Sequence, residues 1–262
     1  MQFPFLTLTD ILILLIAYVY VLAIIGLGEM LRRLGKYPPS VTRKLIHLGA
    51  GFSAFTVPFY SQTWAAIIVA FSFLILIFLS SPKSPIRSLR AMFQVMAREE
   101  DYLSGHIWGP FFYAISITIL VSIFALIPTL TSYFVLPATG LTSMYLGDGL
   151  APFIGGKYGK HRYTIGKSTR SVEGSSVVFI ASLFGAIFCF IFFDWFASNG
   201  SPIFTLHHVL ILSFVCAIVA AVIEGISPPG IDNLTVPLLT ALIVFLIAAF
   251  PYPPIWALIF SP

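Results

Sequence analysis

Residues 11–30 read ILILLIAYVYVLAIIGLGEM, a run whose single charge, Glu29, falls next to its end. A helix rises about 1.5 Å per residue, so about 20 apolar residues cross the roughly 30 Å hydrocarbon core of a bilayer. The run therefore predicts a membrane helix. No Lys or Arg precedes it, whereas a secretory signal starts basic and has a shorter apolar core; we expect a retained helix. No Arg- and Ser-rich transit segment precedes it either, which argues against import into an organelle. Seven further apolar runs occupy 45–59, 64–79, 107–127, 133–154, 175–193, 207–223 and 234–250. The run at 45–59 reaches full length if Thr42, Arg43 and Lys44 start the helix at the headgroups. The stretch 253–260 is too short and too rich in proline to span.

Composition agrees with this reading. Hydrophobic residues make up 58% of the 262 and charged ones 9%, and the mean hydropathy is +0.99. A soluble domain carries about 25% charged residues. A soluble enzyme, a disordered chain and a coiled coil are all excluded. The expectation is an all-α polytopic membrane protein of about eight transmembrane helices, forming a single catalytic domain over 1–262. Cys189 and Cys216 lie in apolar runs without metal-ligand spacing, and read as small lipid-facing or packed side chains.

Charge placement predicts the orientation. With eight spans, the loops 31–44, 80–106 and 155–174 fall on one side and hold all fourteen Lys and Arg residues. The opposite loops and both termini have none. By the positive-inside rule those loops are cytosolic and both termini lie on the non-cytosolic side. The net charge of +4 is thus explained by the membrane, and no nucleic-acid partner is expected.

Ten carboxylates remain. Asp10 and Asp194 read as solvated outer helix ends, and Glu99, Glu100 and Asp101 as a solvated cluster beside Arg98. Glu29, Asp148, Glu173, Glu224 and Asp232 fall at or just inside the cytosolic ends of predicted helices. Ionisable groups in a membrane are costly and usually mark function. Asp148 lies about 24 Å along the core. It stands between Gly147 and Gly149 with Pro152 following, so a backbone break is expected there, against the alternative of a structural ion pair.

The stretch from Gly147 to Ser175 carries the phosphate chemistry: GDGLAPFIGGKYGKHRYTIGKSTRSVEGS. Glycines let backbone N–H groups approach phosphate oxygens, and Lys and Arg neutralise them. The stretch ends at the start of the sixth span, where free N–H groups favour anions. Glu173 in that first turn either caps the helix or ligates a metal. Residues 166–169 are not a Walker A loop: position 161 is His, not Gly, and the preceding element is a membrane helix. Arg43, Lys44 and His47 start the second span, with Arg43 and His47 on one face; anchoring and phosphate binding both explain the two cations. In Glu224-Gly225-Ile226-Ser227-Pro228-Pro229-Gly230-Ile231-Asp232-Asn233, a tight turn joins the last two spans and presents two carboxylates. An oxygen-rich site of this kind suits Mg²⁺; alternatively Asp232 caps the last helix.

At these residues the chain resembles the integral-membrane polyprenol kinases, the group of dolichol kinases, phytol kinases and their bacterial relatives. Four blocks carry the resemblance: Arg43-Lys44-Leu45-Ile46-His47; Gly147-Asp148-Gly149-Leu150-Ala151; Gly159-Lys160-His161 through Arg170-Ser171-Val172-Glu173-Gly174-Ser175; and Asp232-Asn233 before Pro237. Arg170 departs from the family's usual Lys, keeping the charge but changing a point donor to a fork. The resemblance implies transfer of the γ-phosphate of a nucleotide, usually CTP, to the hydroxyl of an isoprenoid or related lipid alcohol. A second similarity, to CDP-diacylglycerol synthases, makes phosphatidate cytidylyltransfer the alternative. Those enzymes carry a pair of aspartates near the last helices, where this chain has only Asp232.

The expected site follows. Asp148, Asp232 and Glu173 are the catalytic candidates, and Asp148, Asp232, Glu173 and Glu224 the ligands of one or two Mg²⁺ ions. Gly147, Gly149, Gly156, Lys157, Gly159, Lys160, Lys167, Arg170, Ser171 and Gly174 are the nucleotide-binding candidates. Arg43, Lys44, His47 and Asn233 are assigned to substrate or phosphate. Either Asp148 or Asp232 accepts the hydroxyl proton. A transporter is the non-enzymatic alternative, disfavoured because the candidate residues crowd one membrane face. A prokaryotic plasma membrane with the active site toward the cytosol is the expected location.

Overall fold

A computed structural model describes residues 5–35, 37, 39–97, 101–102, 105, 107–166, 168–198, 200–228 and 230–249. Lys36, Arg98, Glu99, Glu100, Lys167 and the stretch 253–260 lie outside them. Each of the eight predicted apolar runs is largely helical where it is described, with non-helical residues at Trp64, Ile107, Ile127, Tyr133 and Phe134. Among the described residues, five helices are long and apolar enough to cross a membrane: Leu8–Arg33, Trp108–Leu126, Val172–Phe196, Leu206–Ile226 and Asp232–Ala249. The protein is an α-helical membrane protein, and its chain falls into two compact units that divide after Ser122.

The first unit contains α1 (Leu8–Arg33), α2 (Pro39–Ala50) with a 3₁₀ continuation over Gly51–Phe59, α3 (Ala65–Leu79), α4 (Arg87–Met96) and most of α5 (Trp108–Leu126). Its helices bury small or branched residues, such as Ala17, Val21 and Gly28 on α1, and expose Leu15, Ile16 and Val19. That inversion of the soluble pattern is expected where lipid is the solvent and close backbone approach drives packing. The short α4 is amphipathic, with Leu89, Phe93 and Met96 inside and Arg87, Ser88 and Gln94 exposed.

Asp10 is not the solvated helix end that its position suggests. It is fully buried, completes a capping box with Thr7, and accepts the Ser61 and Gln62 backbone N–H groups at 2.7 and 3.1 Å. Asp194 corrects the same expectation in the second unit: it is buried and accepts from the Ile203 and Phe204 N–H groups at 2.8 and 3.0 Å. Each carboxylate accepts backbone amides of a nearby loop and so fixes that loop to a helix end. Asp101 is also buried, where a solvated cluster was expected.

The second unit contains the short α6 (Pro128–Thr131), α7 (Val135–Thr142), α8 (Gly149–Tyr158), β1 (Arg162–Ile165), β2 (Ser168–Ser171), α9 (Val172–Cys189), α10 (Leu206–Ile226) and α11 (Asp232–Ala249). Between α7 and α8 the chain does not break at Asp148. It widens into a π-helical turn over Ser143–Asp148. Pro152 supplies no N–H for the helical ladder at Asp148, and such wide turns recur at functional sites. A second π-helical turn, Phe190–Phe196, extends α9.

The helices pack through glycines and small polar groups. A Cβ at Gly140 of α7 would stand 2.5 Å from the Pro237 carbonyl oxygen of α11. Thr142 Oγ1 meets Cys189 Sγ at 3.0 Å and Ser143 Oγ meets Cys216 Sγ at 3.3 Å, so both thiols are packed in the interior. The antiparallel pair β1–β2 was not foreseen. It registers Arg162 with Ser171 and Ile165 with Ser168, and turns through Gly166 at φ 58°. Glycine supplies positive φ there without steric cost, as tight hairpin connections require.

Gly140→Ala should lower the thermal midpoint in detergent by an amount equivalent to about 1–3 kcal/mol, the usual cost of overpacking. Gly26→Ala, with nothing within 4 Å of the new Cβ, should leave it unchanged or raise it.

Candidate active site

The site lies where the hairpin meets the ends of α8, α9 and α10 in the second unit. Ser171 begins it. Its hydroxyl accepts the Gly174 N–H at 3.1 Å and caps α9. The same oxygen stands 3.1 Å from where a Cβ would be at Gly155 and 2.7 Å from one at Gly159. A Cβ at Gly147 would press on Ser182 and Val178 of α9. Glycine at 147, 155 and 159 is therefore required by helix contact, before any ligand is considered. Gly156 differs: nothing lies within 4 Å of its missing Cβ, and it borders open space.

Further bonds fix the hairpin to α9. Glu173 accepts from the His161 backbone N–H, its Oε1 lies 2.7 Å from His161 Nδ1, and the Tyr163 hydroxyl bonds Ser175 Oγ. Arg170 of β2 reaches across to the turn between α10 and α11. Its Nε lies 2.9 Å from Glu224 Oε1, and its Nη2 donates to Asp232 Oδ2 at 3.0 Å. The other Asp232 oxygen accepts the Gly230 and Asn233 N–H groups at 3.1 and 2.9 Å, so Asp232 also holds the turn.

These elements enclose a cavity of about 270 Å³. Its lining brings together two acidic residues, Asp148 and Glu224, two arginines, Arg162 and Arg170, the hydroxyl residues Thr169, Ser171 and Ser175, and Gly155, Gly156 and Gly174. Asp148 and Glu224 are buried at 7% and 3% exposure, which makes them the two enclosed acids of this wall. Beneath it Ala151, Val178, Ala220, Ile223 and Val236 form an apolar floor.

Of the residues singled out from the sequence, Asp148, Glu224, Arg170, Ser171, Gly156 and Gly174 line this cavity. Asp232 lies behind Arg170, and Asn233 is buried beside it. Glu173 is turned to His161. Lys157 and Lys160 are exposed, the former with its ammonium 5.1 Å above the Tyr158 ring. Gly147, Gly149 and Gly159 are helix or helix-end residues, and Lys167 is outside the described set. The four expected metal ligands are thus not gathered: among the described residues no three His, Cys, Asp or Glu side chains converge. Arg43, Lys44 and His47 belong to the first unit. There Lys44 is buried on α2, and the Tyr113 hydroxyl donates to the His47 carbonyl at 2.8 Å while the two rings lie 4.7 Å apart.

Arg162, Thr169 and Ser175 line the cavity without having been singled out. Their signal was the strand pairing that sets Arg162 opposite Ser171, and that pairing is not visible in strands of only four residues.

Fold and site together describe an α-helical membrane protein with a small cavity walled by buried acids and guanidiniums. No protein-family model matches the chain, and no solved structure does. A phytol kinase from Synechocystis sp. is 32% identical over 232 residues, which cover 88% of this chain and 89% of that protein. The chain belongs to the polyprenol and phytol kinase family, and is an enzyme of the lipid-alcohol kinase class.

Ser171→Ala should speed hydrogen exchange at the Gly174 amide about fivefold, equivalent to the roughly 1 kcal/mol of a lost N-cap. Peptide-level exchange mass spectrometry over 168–178 would read it. Unchanged protection would mean that the hairpin is held without this cap.

Proposed function

We propose that the protein transfers the γ-phosphate of CTP to the hydroxyl of a membrane isoprenoid alcohol of the polyprenol, phytol or geranylgeraniol type, at the cytosolic face. The observation that carries this reading is the cavity wall, where Asp148 and Glu224 face the same space as Arg162 and Arg170. Phosphoryl transfer needs positioning and charge neutralisation rather than covalent help from the protein. A wall of both signs suits it, and the likeness to a phytol kinase supports the choice of acceptor.

Arg162 and the exposed Lys157 and Lys160 attract and hold the phosphates, and Lys167 keeps the nucleotide-binding role expected from the sequence. Gly156, open toward the cavity, allows close approach of the phosphate chain. The lipid hydroxyl enters from the bilayer with its tail left in lipid. Its oxygen attacks the γ-phosphorus, the bond to the β–γ bridging oxygen breaks, and CDP leaves. We assign the hydroxyl proton to Asp148, because Asp148 lines the cavity and Asp232 lies behind Arg170. Glu173 keeps the hairpin seated through His161. Arg43, Lys44 and His47 retain the phosphate or substrate role that the family resemblance gives them.

We assign Mg²⁺ to this wall. The ion is held by one or two carboxylates, with phosphate oxygens and waters completing its shell. Asp148 and Glu224 provide that donor set, with Asp232 adjoining through Arg170. When bound, the ion neutralises charge on the phosphates.

For the topology we propose eight spans with both termini outside. The runs 45–59, 64–79 and 133–154 complete the count beside the five long helices, and all fourteen Lys and Arg residues then fall on the cytosolic side.

Purified protein with Mg²⁺, CTP and phytol, geranylgeraniol or a long polyprenol should release CDP and the lipid monophosphate. Pyrophosphate with phosphatidate would instead establish cytidylyltransfer. Asp148→Asn should lose at least about 10³-fold in turnover while still inserting, and full activity would remove Asp148 from the chemistry. The topology is checked by cysteines placed at Ser201 and Thr164, both exposed. A membrane-impermeant maleimide on intact cells should label only the first. Labelling at 164 would invert the orientation.

A further inference from the structure

Neighbouring serines of α9 spend their hydroxyl hydrogens differently. A serine inside a helix can turn its hydroxyl back onto the carbonyl four residues earlier. Ser176 does so with Val172 at 2.8 Å, as do Ser116 with Phe112 and Ser143 with Thr139 at 2.9 Å. Ser175 does not: among the described residues its Oγ meets only the Tyr163 hydroxyl of β1. Tyr163 is in turn placed by α10. A Cβ at Gly225 would stand 2.8 Å from the phenolic oxygen and 3.7 Å from Cζ, so the end of the ring fills the space that a side chain there would take.

A phenol is a stronger proton donor than an aliphatic alcohol, so Tyr163 donates and Ser175 Oγ accepts. A serine hydroxyl carries one hydrogen and two lone pairs, and the Ser175 hydrogen is thus left unspent. Ser175 also lines the cavity, together with Arg162 and Arg170. We infer that Ser175 donates this hydrogen to a phosphate oxygen of the ligand in the cavity, and that Tyr163 is its positioning residue. The phenol holds the serine off the Ser171 carbonyl, and donation into Oγ strengthens the bond that Ser175 gives onward. Without the phenol, Ser175 relaxes onto that carbonyl as Ser176 does onto its own, and the ligand loses a donor. The inference rests on the reading that this cavity takes phosphate, but not on which nucleotide carries it.

The test titrates inorganic tripolyphosphate into the full chain in detergent by calorimetry, at about 0.15 M salt to screen the exposed lysines. Ser175→Ala should weaken binding about tenfold, the loss of one donor to a charged group. Tyr163→Phe keeps the ring beside Gly225 and should weaken it about fivefold. The double variant should bind no more weakly than Ser175→Ala alone, because the phenol acts through that hydroxyl. A hairpin merely loosened by the loss of the phenol would weaken binding by the same factor with or without Ser175, so multiplied effects overturn the positioning role. Equal affinity in all four proteins overturns the inference, as does an unsubstituted protein that binds no tripolyphosphate. The kinase reading is judged separately, by lipid phosphorylation and its loss in Asp148→Asn. Phosphorylation with a flat binding series removes only Ser175 and Tyr163 from the site. A graded series without phosphorylation keeps the phosphate site and removes the kinase assignment of this cavity.

Discussion

Three segments distant in the chain meet at the guanidinium of Arg170, which comes from β2, while Glu224 ends α10 and Asp232 begins α11. A hairpin of two four-residue strands has little stability of its own. Its place over the helix ends is set by this double ion pair, by His161 on Glu173, and by Tyr163 on Ser175. The cavity depends on that placement, because Arg162, Thr169 and Arg170 form its hairpin side and Asp148 and Glu224 its helix side. Buried charges at the edge of an apolar bundle persist only when they are paired or serve a polar space, and here they do both.

The glycine-rich character of 147–174 has a mechanical origin as well as a chemical one. Helices in lipid gain no hydrophobic advantage from meeting one another, so close backbone approach must supply the attraction. Gly155 comes against Gly174 and Ser171, and Gly147 against Val178 and Ser182, at distances that a methyl group would have to displace. That packing brings α8 against α9 and places Asp148 at the inner wall. The same glycines read from sequence as a phosphate cradle. Gly156, with open space around it, is the position where the chemical reading does not compete with the mechanical one.

Much of the fold was legible because lipid imposes one rule on every span. Among the described residues five of the apolar runs became helices long enough to span, with ends extended by a few residues where caps such as Thr7 and Ser171 took hold. The stretch at 143–148 was legible as irregular from Gly147, Gly149 and Pro152, but its form as a wide helical turn was not. The hairpin was missed because its strands are only four residues long: Arg162–Ile165 alternates polar and apolar over a span too short to announce a strand, and Ser168–Ser171 is polar throughout. The departure from lysine at position 170 was visible, and its meaning was not. It depends on carboxylates 54 and 62 residues away in the chain.

The carboxylates show why position alone misleads. Asp10 and Asp194 lie at helix ends and looked solvated, yet each is buried because it accepts two backbone N–H groups from a nearby loop. Glu29 lies at a helix end too, and answers Arg32 and Arg33 one turn on. Asp232 divides its two oxygens between Arg170 and the turn it closes. All four have structural employment that accounts for a charge in an apolar chain. Asp148 and Glu224 add something the others lack, since their carboxylates are buried and also border a cavity that basic groups line. Burial makes a charge expensive, and an opening toward a polar ligand is what repays that expense at the moment of binding. Asp148 and Glu224 thus stand where an entering ligand meets them, whereas Asp10, Glu29, Asp194 and Asp232 each secure a local turn or helix end.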